Sequence, residues 1–270
     1  MAYKTGCGGL RDFLLSAWGA LSPVREYYRK KWFTCILYHQ IEPSSFEKHI
    51  QYYSKHYNLC SLNELRNHYE NDDQLPRNPL FITFDDGWRS NYELLPIIEE
   101  KEIPVTIFLT TGLIGSNMIP PPITVYHESS IEEIEKAFAV RHVRTMLTVE
   151  EIKEMSKMVD FQAHGVHHHL STVLSPEKLR EELLESKQLI EDITGNPVFA
   201  FAYPYNRAGM REAEIVESCG FTLARIGDRT MNSLDTNRFL LNSIGINQNS
   251  SVDAVRKKLL NAELKTILAS

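Results

Sequence analysis

The sequence predicts an α/β fold in which a mostly parallel β-sheet is covered by helices. Short apolar runs, rich in β-branched and aromatic residues, recur along the chain, and segments with helical periodicity lie between them. This alternation is typical of a parallel sheet, either open or closed into a barrel. The 270 residues, 43% of them hydrophobic, are enough for one domain with a full core.

The individual elements follow from local patterns. Strands are predicted at residues 33–38, 80–84, 105–109, 161–163, 198–203, 222–224 and 239–244. Helices are predicted at residues 45–57, 62–69, 92–101, 148–158, 175–193, 209–218 and 252–268. Ser61 with Glu64, and Thr148 with Glu151, have the spacing of capping boxes, and Gly195 is placed to end the longest helix.

Two segments interrupt the alternation. Residues 1–32 contain an apolar stretch, which we interpret as a helical extension because Asp12 abuts it and no clear signal-peptide cleavage site follows. Residues 33–270 form the predicted domain. Within it, residues 112–145 contain three consecutive prolines and are predicted to be a long insertion over the functional edge of the fold.

Composition restricts the partners. The formal net charge of -6 argues against a nucleic acid partner, which would require clustered Lys and Arg. The four cysteines include no CxxC pair and demand no disulfide framework. No apolar run approaches the ~20 residues of a membrane span, although the N-terminal helix leaves contact with a membrane surface open. We expect a cytoplasmic location, with membrane association or export as alternatives.

The first candidate site is a pair of carboxylates at the end of a predicted strand. Asp85 and Asp86 follow an apolar run and precede Gly87. Functional sites in α/β folds form at the carboxyl ends of strands. Two adjacent carboxylates repel each other unless a positive charge, such as a divalent cation, compensates them. An ordinary polar turn is the alternative interpretation.

The second candidate site is a histidine cluster that follows another predicted strand. His164, His167, His168 and His169 fall within six positions. His164 and His168 are four residues apart and can face one cation if the segment turns. Two imidazoles and one carboxylate are typical of a catalytic metal site with open coordination positions. A buried structural histidine would explain one of the four residues but hardly all of them.

The third candidate site is the sequence Tyr203-Pro204-Tyr205 after a further apolar run. A backbone N–H that follows such a proline can point into the mouth of the fold and stabilise an oxyanion. A proline turn with surface aromatic residues is an equally good interpretation of this motif alone.

Taken together, the three motifs resemble those of the polysaccharide deacetylase family, carbohydrate esterase family four. Residues 83–87, the pair His164-x-x-x-His168 and residues 201–205 occur in the order of the family's first three motifs. Tyr38-His39 resembles the opening of one branch of the family, and the similarity covers roughly residues 33–247 in pattern. The combination of the first two motifs is specific, whereas the third motif alone is not.

The resemblance implies a distorted, incomplete (β/α) barrel of about seven parallel strands. It also implies hydrolysis of an N-acetyl amide on an aminosugar. Asp86, His164 and His168 would hold one divalent metal ion, with zinc as the first choice and cobalt, nickel or manganese as alternatives. Asp85 would be the general base towards the attacking water, and the Tyr205 N–H would help to hold the oxyanion.

Three departures from the family pattern change the expected roles. Tyr203 stands where many members have an arginine that steers the base, and Arg207 or Arg225 could substitute for it. Gly165 replaces the usual Ser or Thr after the first histidine. Residues 240–244 lack the late histidine that acts as general acid in many members.

We expect His39 to serve as the general acid, because it ends the first predicted strand, with His167 and His169 as alternatives. The predicted function is metal-dependent removal of an N-acetyl group from an aminosugar in a glycan or glycan precursor. The alternative is a non-catalytic, metal-bound carbohydrate-binding module that has lost its general acid. The sequence does not indicate the sugar or the oligomeric state.

Overall fold

The computed structural model describes residues 31–127, 131–227 and 229–269. Strands are numbered β1 to β11 and helices α1 to α8 within these ranges. The strands are β1 (Trp32–Tyr38), β2 (Asn58–Cys60), β3 (Pro79–Asp86), β4 (Val105–Leu109), β5 (Met118–Ile119), β6 (Ala139–Val140), β7 (Val159–Ala163), β8 (Ala200–Ala202), β9 (Leu223–Arg225), β10 (Asn232–Ser233) and β11 (Ile244–Gly245). The helices are α1 (Pro43–His56), α2 (Leu62–Asn71), α3 (Leu95–Lys101), α4 (Ile131–Lys136), α5 (Val149–Met155), α6 (Pro176–Thr194), α7 (Met210–Ser218) and α8 (Val252–Ala269).

The main sheet is a curled, incomplete barrel. Strands β1, β3, β4, β7, β8 and β9 are parallel and adjacent in that order, and β11 adds a seventh parallel strand beside β1. Leu241 forms a parallel bridge with Arg225 of β9, while Ile244 pairs with Ile36 of β1. The segment 241–245 therefore contacts both outer parallel strands, which confirms the predicted distorted (β/α) barrel.

Side chains alternate between the two faces of the sheet and form two apolar clusters. On β3, Leu80, Ile82 and Phe84 belong to the large cluster shared with the outer helices. Phe81 instead belongs to a smaller cluster, which combines residues of β1, β3, β4, β8 and β9 with α2. Because this smaller cluster joins the two ends of the sheet, it is the interior of the barrel. Asp85 has the same parity as Phe81 and therefore points inward.

The two predicted capping boxes and the predicted glycine stop are confirmed. The Ser61 hydroxyl accepts from the Glu64 N–H at 3.2 Å, and the Glu64 carboxylate accepts from the Ser61 N–H at 2.7 Å. Thr148 and Glu151 form the same capping box at the start of α5. Gly195 ends α6 with a left-handed φ of 71°.

Several predicted elements are shorter than expected, for identifiable reasons. The strand predicted at 198–203 is reduced to β8, and at its start the N–H groups of Phe199 and Ala200 bond the Gln162 side chain. The helix predicted at 92–101 divides into a 3-10 turn and α3, where Pro96 supplies no N–H donor. Only Ile244 of the strand predicted at 239–244 lies in β11.

The segments outside the barrel sheet can be described in part. The helical extension predicted for residues 1–32 lies outside the described residues, apart from Lys31 and Trp32, and Trp32 begins β1. Residues 112–145 contain the two-stranded β5–β6 hairpin and α4. In the ranges that the structure describes, no helix is long and apolar enough to cross a membrane.

Gln162 offers a test of how the junction between β7 and β8 is held. Its buried Oε1 accepts from the Phe199 N–H at 2.8 Å and from the Ala200 N–H at 2.7 Å. Gln162→Leu should lower the free energy of unfolding by about 2–4 kcal/mol, because two buried N–H groups lose their acceptor. Urea denaturation measures the loss. The matched control Gln188→Leu, at an exposed position on α6, should stay within about 0.5 kcal/mol of the wild type, and equal losses in both variants would contradict this role.

Candidate metal centre and active site

The candidate site residues lie at the carboxyl ends of parallel strands. Asp85 and Asp86 are the last residues of β3, and His164 directly follows β7. His39 follows β1, and Arg225 is the last residue of β9. Because the strands are parallel and adjacent, their ends converge on one mouth of the barrel, where sites form in folds of this class.

Asp86, His164 and His168 form a buried cluster. The Nε2 atom of His168 lies 3.2 Å from Asp86 Oδ1, and the Nε2 atom of His164 lies 3.5 Å from the same oxygen. One ligand atom from each residue falls within 4.8 Å of the other two. The structure therefore brings together the three residues that the sequence suggested as metal ligands, although they come from two distant segments of the chain.

The donor set of this cluster fits a divalent cation. The Nδ1 of His164 bonds the Ala202 carbonyl oxygen at 2.7 Å, so this nitrogen carries the hydrogen. In a neutral ring, Nε2 then presents a lone pair towards Asp86, whose Oδ1 has no hydrogen-bond donor. Lone pairs that converge in a buried space require a positive charge between them, and a carbonyl acceptor behind a histidine is the usual support for a metal ligand.

The electrostatics of the cluster agree with this requirement. Burial by itself would raise the pKa of Asp86, but the adjacent imidazoles of His164 and His168 hold the pKa well below its ordinary value. Burial lowers the pKa of His168. For His164 burial acts in the same direction, but Asp85 and Asp86 outweigh it and raise the pKa. Asp86 therefore remains an anion at the centre of the cluster.

The backbone is strained where these side chains converge. Asp86 has a φ of 74° and His168 a φ of 56°, both in the left-handed region that costs energy for residues other than glycine. Tyr205 and Asn206, which face the same cavity, also have positive φ values. Half of the eight non-glycine residues with positive φ in the described ranges thus line one cavity, which indicates a functional constraint.

Asp85 is held by an arginine from the opposite end of the sheet. Arg225 donates from Nη2 to Asp85 Oδ1, and both side chains are buried. Its Nη1 also donates to Ser243 Oγ at 3.0 Å and to Asn206 Oδ1 at 3.2 Å. Of the two arginines suggested by the sequence, Arg225 therefore contacts Asp85, whereas Arg207 is exposed beside a neighbouring groove.

Alternation explains why the residue at position 203 cannot contact Asp85. Tyr203 belongs to the outer apolar cluster, so its side chain points away from the barrel interior. Arg225 shares the parity of Leu223, which lies in the interior cluster, and therefore points inward. The adjacent strand thus supplies the guanidinium.

The loop between the two histidine ligands is fixed by Glu182, which the sequence analysis missed. From α6, its carboxylate accepts from the N–H groups of Val166 at 2.7 Å and His167 at 2.9 Å, and from His167 Nδ1 at 2.6 Å. A Cβ on Gly165 would lie 2.9 Å from Glu182 Oε2, so the glycine leaves room for this carboxylate. The proximity of a helical carboxylate to a distant loop gives no local signal in the sequence.

His167 and His169 lie outside the candidate active site. Both line a separate cavity together with Glu182, and each ring has its Nδ1 within 3.6 Å of Glu182 Oε1. Neither histidine lines the cavity that contains Asp85 and Asp86. The two alternative general acids that the sequence left open are therefore not brought to the site.

His39 and Tyr205 border the cavity, as the sequence suggested. The side chain of His39 is 51% exposed, and its Nε2 lies 3.9 Å from Asp86 Oδ2. The Tyr205 ring packs edge-on against His168 at 4.6 Å, and its hydroxyl donates to the Pro121 carbonyl at 2.8 Å. Within the described ranges, the Tyr205 N–H donates to no protein acceptor. It thus remains available to a ligand in the cavity.

The insertion forms one wall of this small cavity. The cavity has a volume of about 180 Å³, and the insertion contributes Ile119, Pro120 and Pro121 to its lining. Tyr126, also from the insertion, donates its hydroxyl to the His168 carbonyl at 3.1 Å. The insertion therefore shapes the site and supports one of the candidate ligands.

The first comparison with known proteins concerns the sequence. A sequence model of the family described as polysaccharide deacetylase matches residues 72–224. YxkH of Bacillus subtilis, a protein classed with the polysaccharide deacetylases, is 22% identical over 177 residues, which are 65% of this chain. The match spans 54% of the length of that relative.

Two solved structures are similar in fold. The deacetylase PplD of Streptococcus pyogenes, solved in complex with acetate, is 21% identical with a TM-score of 0.67, over 84% of this chain and 98% of that one. A de-N-acetylase from Aggregatibacter actinomycetemcomitans is 15% identical with a TM-score of 0.68, over 84% of this chain and 100% of that one. The family match covers more than half of the chain and includes Asp85, Asp86, His164 and His168. The protein therefore belongs to the polysaccharide deacetylase family.

Proposed function

We propose that the protein removes an N-acetyl group from an aminosugar in a glycan or glycan precursor, with the help of one divalent metal ion, zinc as first choice. The observation that carries the proposal is the placement of a second buried carboxylate, Asp85, beside the Asp86–His164–His168 cluster in one cavity. A metal site that only binds a ligand needs no such carboxylate.

The cluster would supply the metal ligands, and the neighbouring Asp85 would be the base. Asp86, His164 and His168 would hold the ion, which when bound polarises the acetyl carbonyl and lowers the pKa of a nearby water. Asp85 Oδ1 is bonded by Arg225, while Oδ2 lies 3.9 Å from His164 Nε2 and faces the cavity. Asp85 is therefore positioned to take the proton from the attacking water.

Stabilisation of the oxyanion and protonation of the amine require two further groups. The Tyr205 N–H, available at the cavity, would donate to the oxygen that becomes negative during attack. The amide nitrogen leaves as an amine only if it gains a proton. His39 is half exposed at the rim, near the Asp86 carboxylate, and can supply that proton and recover it from solvent.

The first prediction separates catalysis from metal binding. Asp85→Asn should reduce kcat for acetate release about 10²–10⁴-fold, because it removes the base. It should retain bound metal, measured by elemental analysis. His168→Ala is the matched control and should lose the metal together with the activity, as chelation of the wild type should. Full activity of Asp85→Asn would contradict the role of Asp85 as the base. If the metal-loaded wild type releases acetate from no N-acetylated sugar, the binding-module alternative is favoured.

The second prediction tests how Arg225 fixes Asp85. Arg225→Met should cost about 3–5 kcal/mol in the free energy of unfolding, because it leaves a buried carboxylate without its partner. In the Asp85→Asn background the same substitution should cost less, and the double-mutant cycle measures the difference. Arg238→Met is the control, since Arg238 lies 3.8 Å from the exposed Glu217, and it should cost under about 1 kcal/mol. Equal costs in both backgrounds would contradict the coupling.

The third prediction concerns the general acid. His39→Asn should lower kcat for an N-acetylated sugar about 10²–10⁴-fold, because the amine must be protonated to leave. The same variant should hydrolyse 4-nitrophenyl acetate at close to the wild-type rate, since a nitrophenolate leaves without a proton. His68→Asn, on α2 outside the cavity, is the control and should change neither rate. Equal losses with both substrates would exclude an acid role for His39.

A further inference from the structure

A second, larger cavity opens beside the candidate active site. It has a volume of about 700 Å³, and it shares His39, Tyr205 and Asn206 with the smaller cavity. The rest of its lining comes from Leu37 of β1, the loops after β8 and β9, the β11 segment and α8. We call it the side groove. Because the cavities share lining residues, one ligand can extend from the catalytic cavity into the side groove.

The side groove is positively charged in a protein whose net charge is negative. Arg207, Arg229 and Lys258 line it, and no lining residue has a carboxylate. Among the residues that the structure describes, none of these three cations forms an ion pair. Asp228, between Gly227 and Arg229, lies outside the described residues.

Other cations of the chain show the usual arrangement. Arg144 pairs with Glu151, and Lys178 pairs with Glu181. On α8 itself, Arg256 and Lys257 both contact the carboxylate of Asp253. In a chain with net charge -6, a groove lined by three cations that pair with no described carboxylate is suited to an anion.

Lys258 is held in this position at an electrostatic cost. Its Nζ donates to the Gly245 carbonyl at 2.8 Å, and the residue is half-buried. Partial burial lowers the pKa of Lys258, and the positive charge of Arg229 lowers it further. A bound anion between these two cations would remove the repulsion.

Further polar groups suit a tetrahedral oxyanion. Asn206, Asn247 and Asn261 also line the groove and carry side-chain amides. A guanidinium can donate two parallel N–H bonds to one phosphate, while an ammonium acts as a point charge. Two guanidiniums, one ammonium and several amides therefore match a phosphate or diphosphate better than a neutral sugar.

We propose that the side groove binds a phosphate group carried by the substrate, so that the preferred substrate is an N-acetylated aminosugar with a phosphate on or next to the acetylated residue. This inference rests on the proposed deacetylation, because it assigns the acetyl group to the small cavity and the phosphate to the groove. Within that reaction the phosphate takes no part in bond making; it contributes binding and orientation.

The test compares sugars with and without the phosphate. For the wild type, kcat/KM for N-acetylglucosamine 1-phosphate should exceed that for N-acetylglucosamine at least tenfold. In the double variant Arg229→Gln/Lys258→Gln this ratio should fall at least tenfold, chiefly through KM. The matched control Arg256→Gln/Lys257→Gln removes the same charge from exposed positions and should keep the wild-type ratio.

Binding is measured separately from turnover. In titration calorimetry, glucosamine 1-phosphate should bind the wild type and the control at least tenfold more tightly than glucosamine, and the groove variant should lose this difference. Equal binding of the two sugars to the wild type would overturn the proposal, as would an unchanged preference in the groove variant. If no sugar releases acetate, the proposed deacetylation fails, and the binding comparison alone decides on the groove.

Three phosphorylated substrates are compared to determine which kind of molecule carries the phosphate. The same N-acetylated sugar is offered as a 1-phosphate, as a nucleoside diphosphate conjugate and within a phosphodiester-linked oligosaccharide. The substrate with the highest kcat/KM identifies the class of phosphate carrier, provided that the groove variant loses the preference for it. If a carboxylated N-acetylated sugar has a higher kcat/KM than all three phosphorylated substrates, the assignment to phosphate is overturned.

Discussion

The architecture of the site depends on the buried ion pair between Asp85 and Arg225. Asp85 ends β3 near one side of the curled sheet, and Arg225 ends β9 on the other, so their contact crosses the barrel interior. Neither charge would be stable there alone, because a lone charge in a low-dielectric interior is costly. The pair therefore requires the sheet to curl far enough for the two ends to meet. Ser243, in the segment that contacts both outer strands, bonds the same guanidinium and reinforces that curvature.

The adjacent residue shows how one strand end produces two different carboxylates. Alternation would place Asp86 on the outer face of β3, yet its positive φ turns the chain so that the carboxylate meets the histidines. Asp85 thus accepts from a guanidinium, whereas Asp86 lies against the two imidazoles and accepts from the Trp88 indole, so each anion has a hydrogen-bond donor of its own. Gly87 continues this turn with a φ of 81°, where a Cβ would lie 2.5 Å from the Leu109 side chain. In the proposed mechanism, this difference in partners would let one carboxylate serve as ligand and the other as base.

The sequence was sufficient for the six parallel strands from β1 to β9 that form the main path of the sheet, for most helices and for the main site residues, because each has a local pattern. An apolar run that ends in Asp85 and Asp86, and a second run that ends in His164, are readable without any structure. Arg225 could be named only as one of two possibilities, since its contact depends on strand order and parity across the sheet. Glu182 was missed, because a surface-type residue in an amphipathic helix gives no indication that its carboxylate binds a distant loop. What the sequence did not reveal was therefore long-range pairing.

The same distinction applies to the surroundings of the site. The insertion was recognised from its prolines, but its contacts with Tyr205 and His168 depend on how it folds back over the barrel mouth. The side groove had no sequence signal, because Arg207, Arg229 and Lys258 come from three segments that are far apart in the sequence. The chemistry at the strand ends is therefore read from motifs, whereas the features that would select a substrate arise from loops and from α8. Because loops tolerate sequence change and often carry binding residues, a substrate-selecting feature such as the proposed side groove is expected there rather than in the barrel strands.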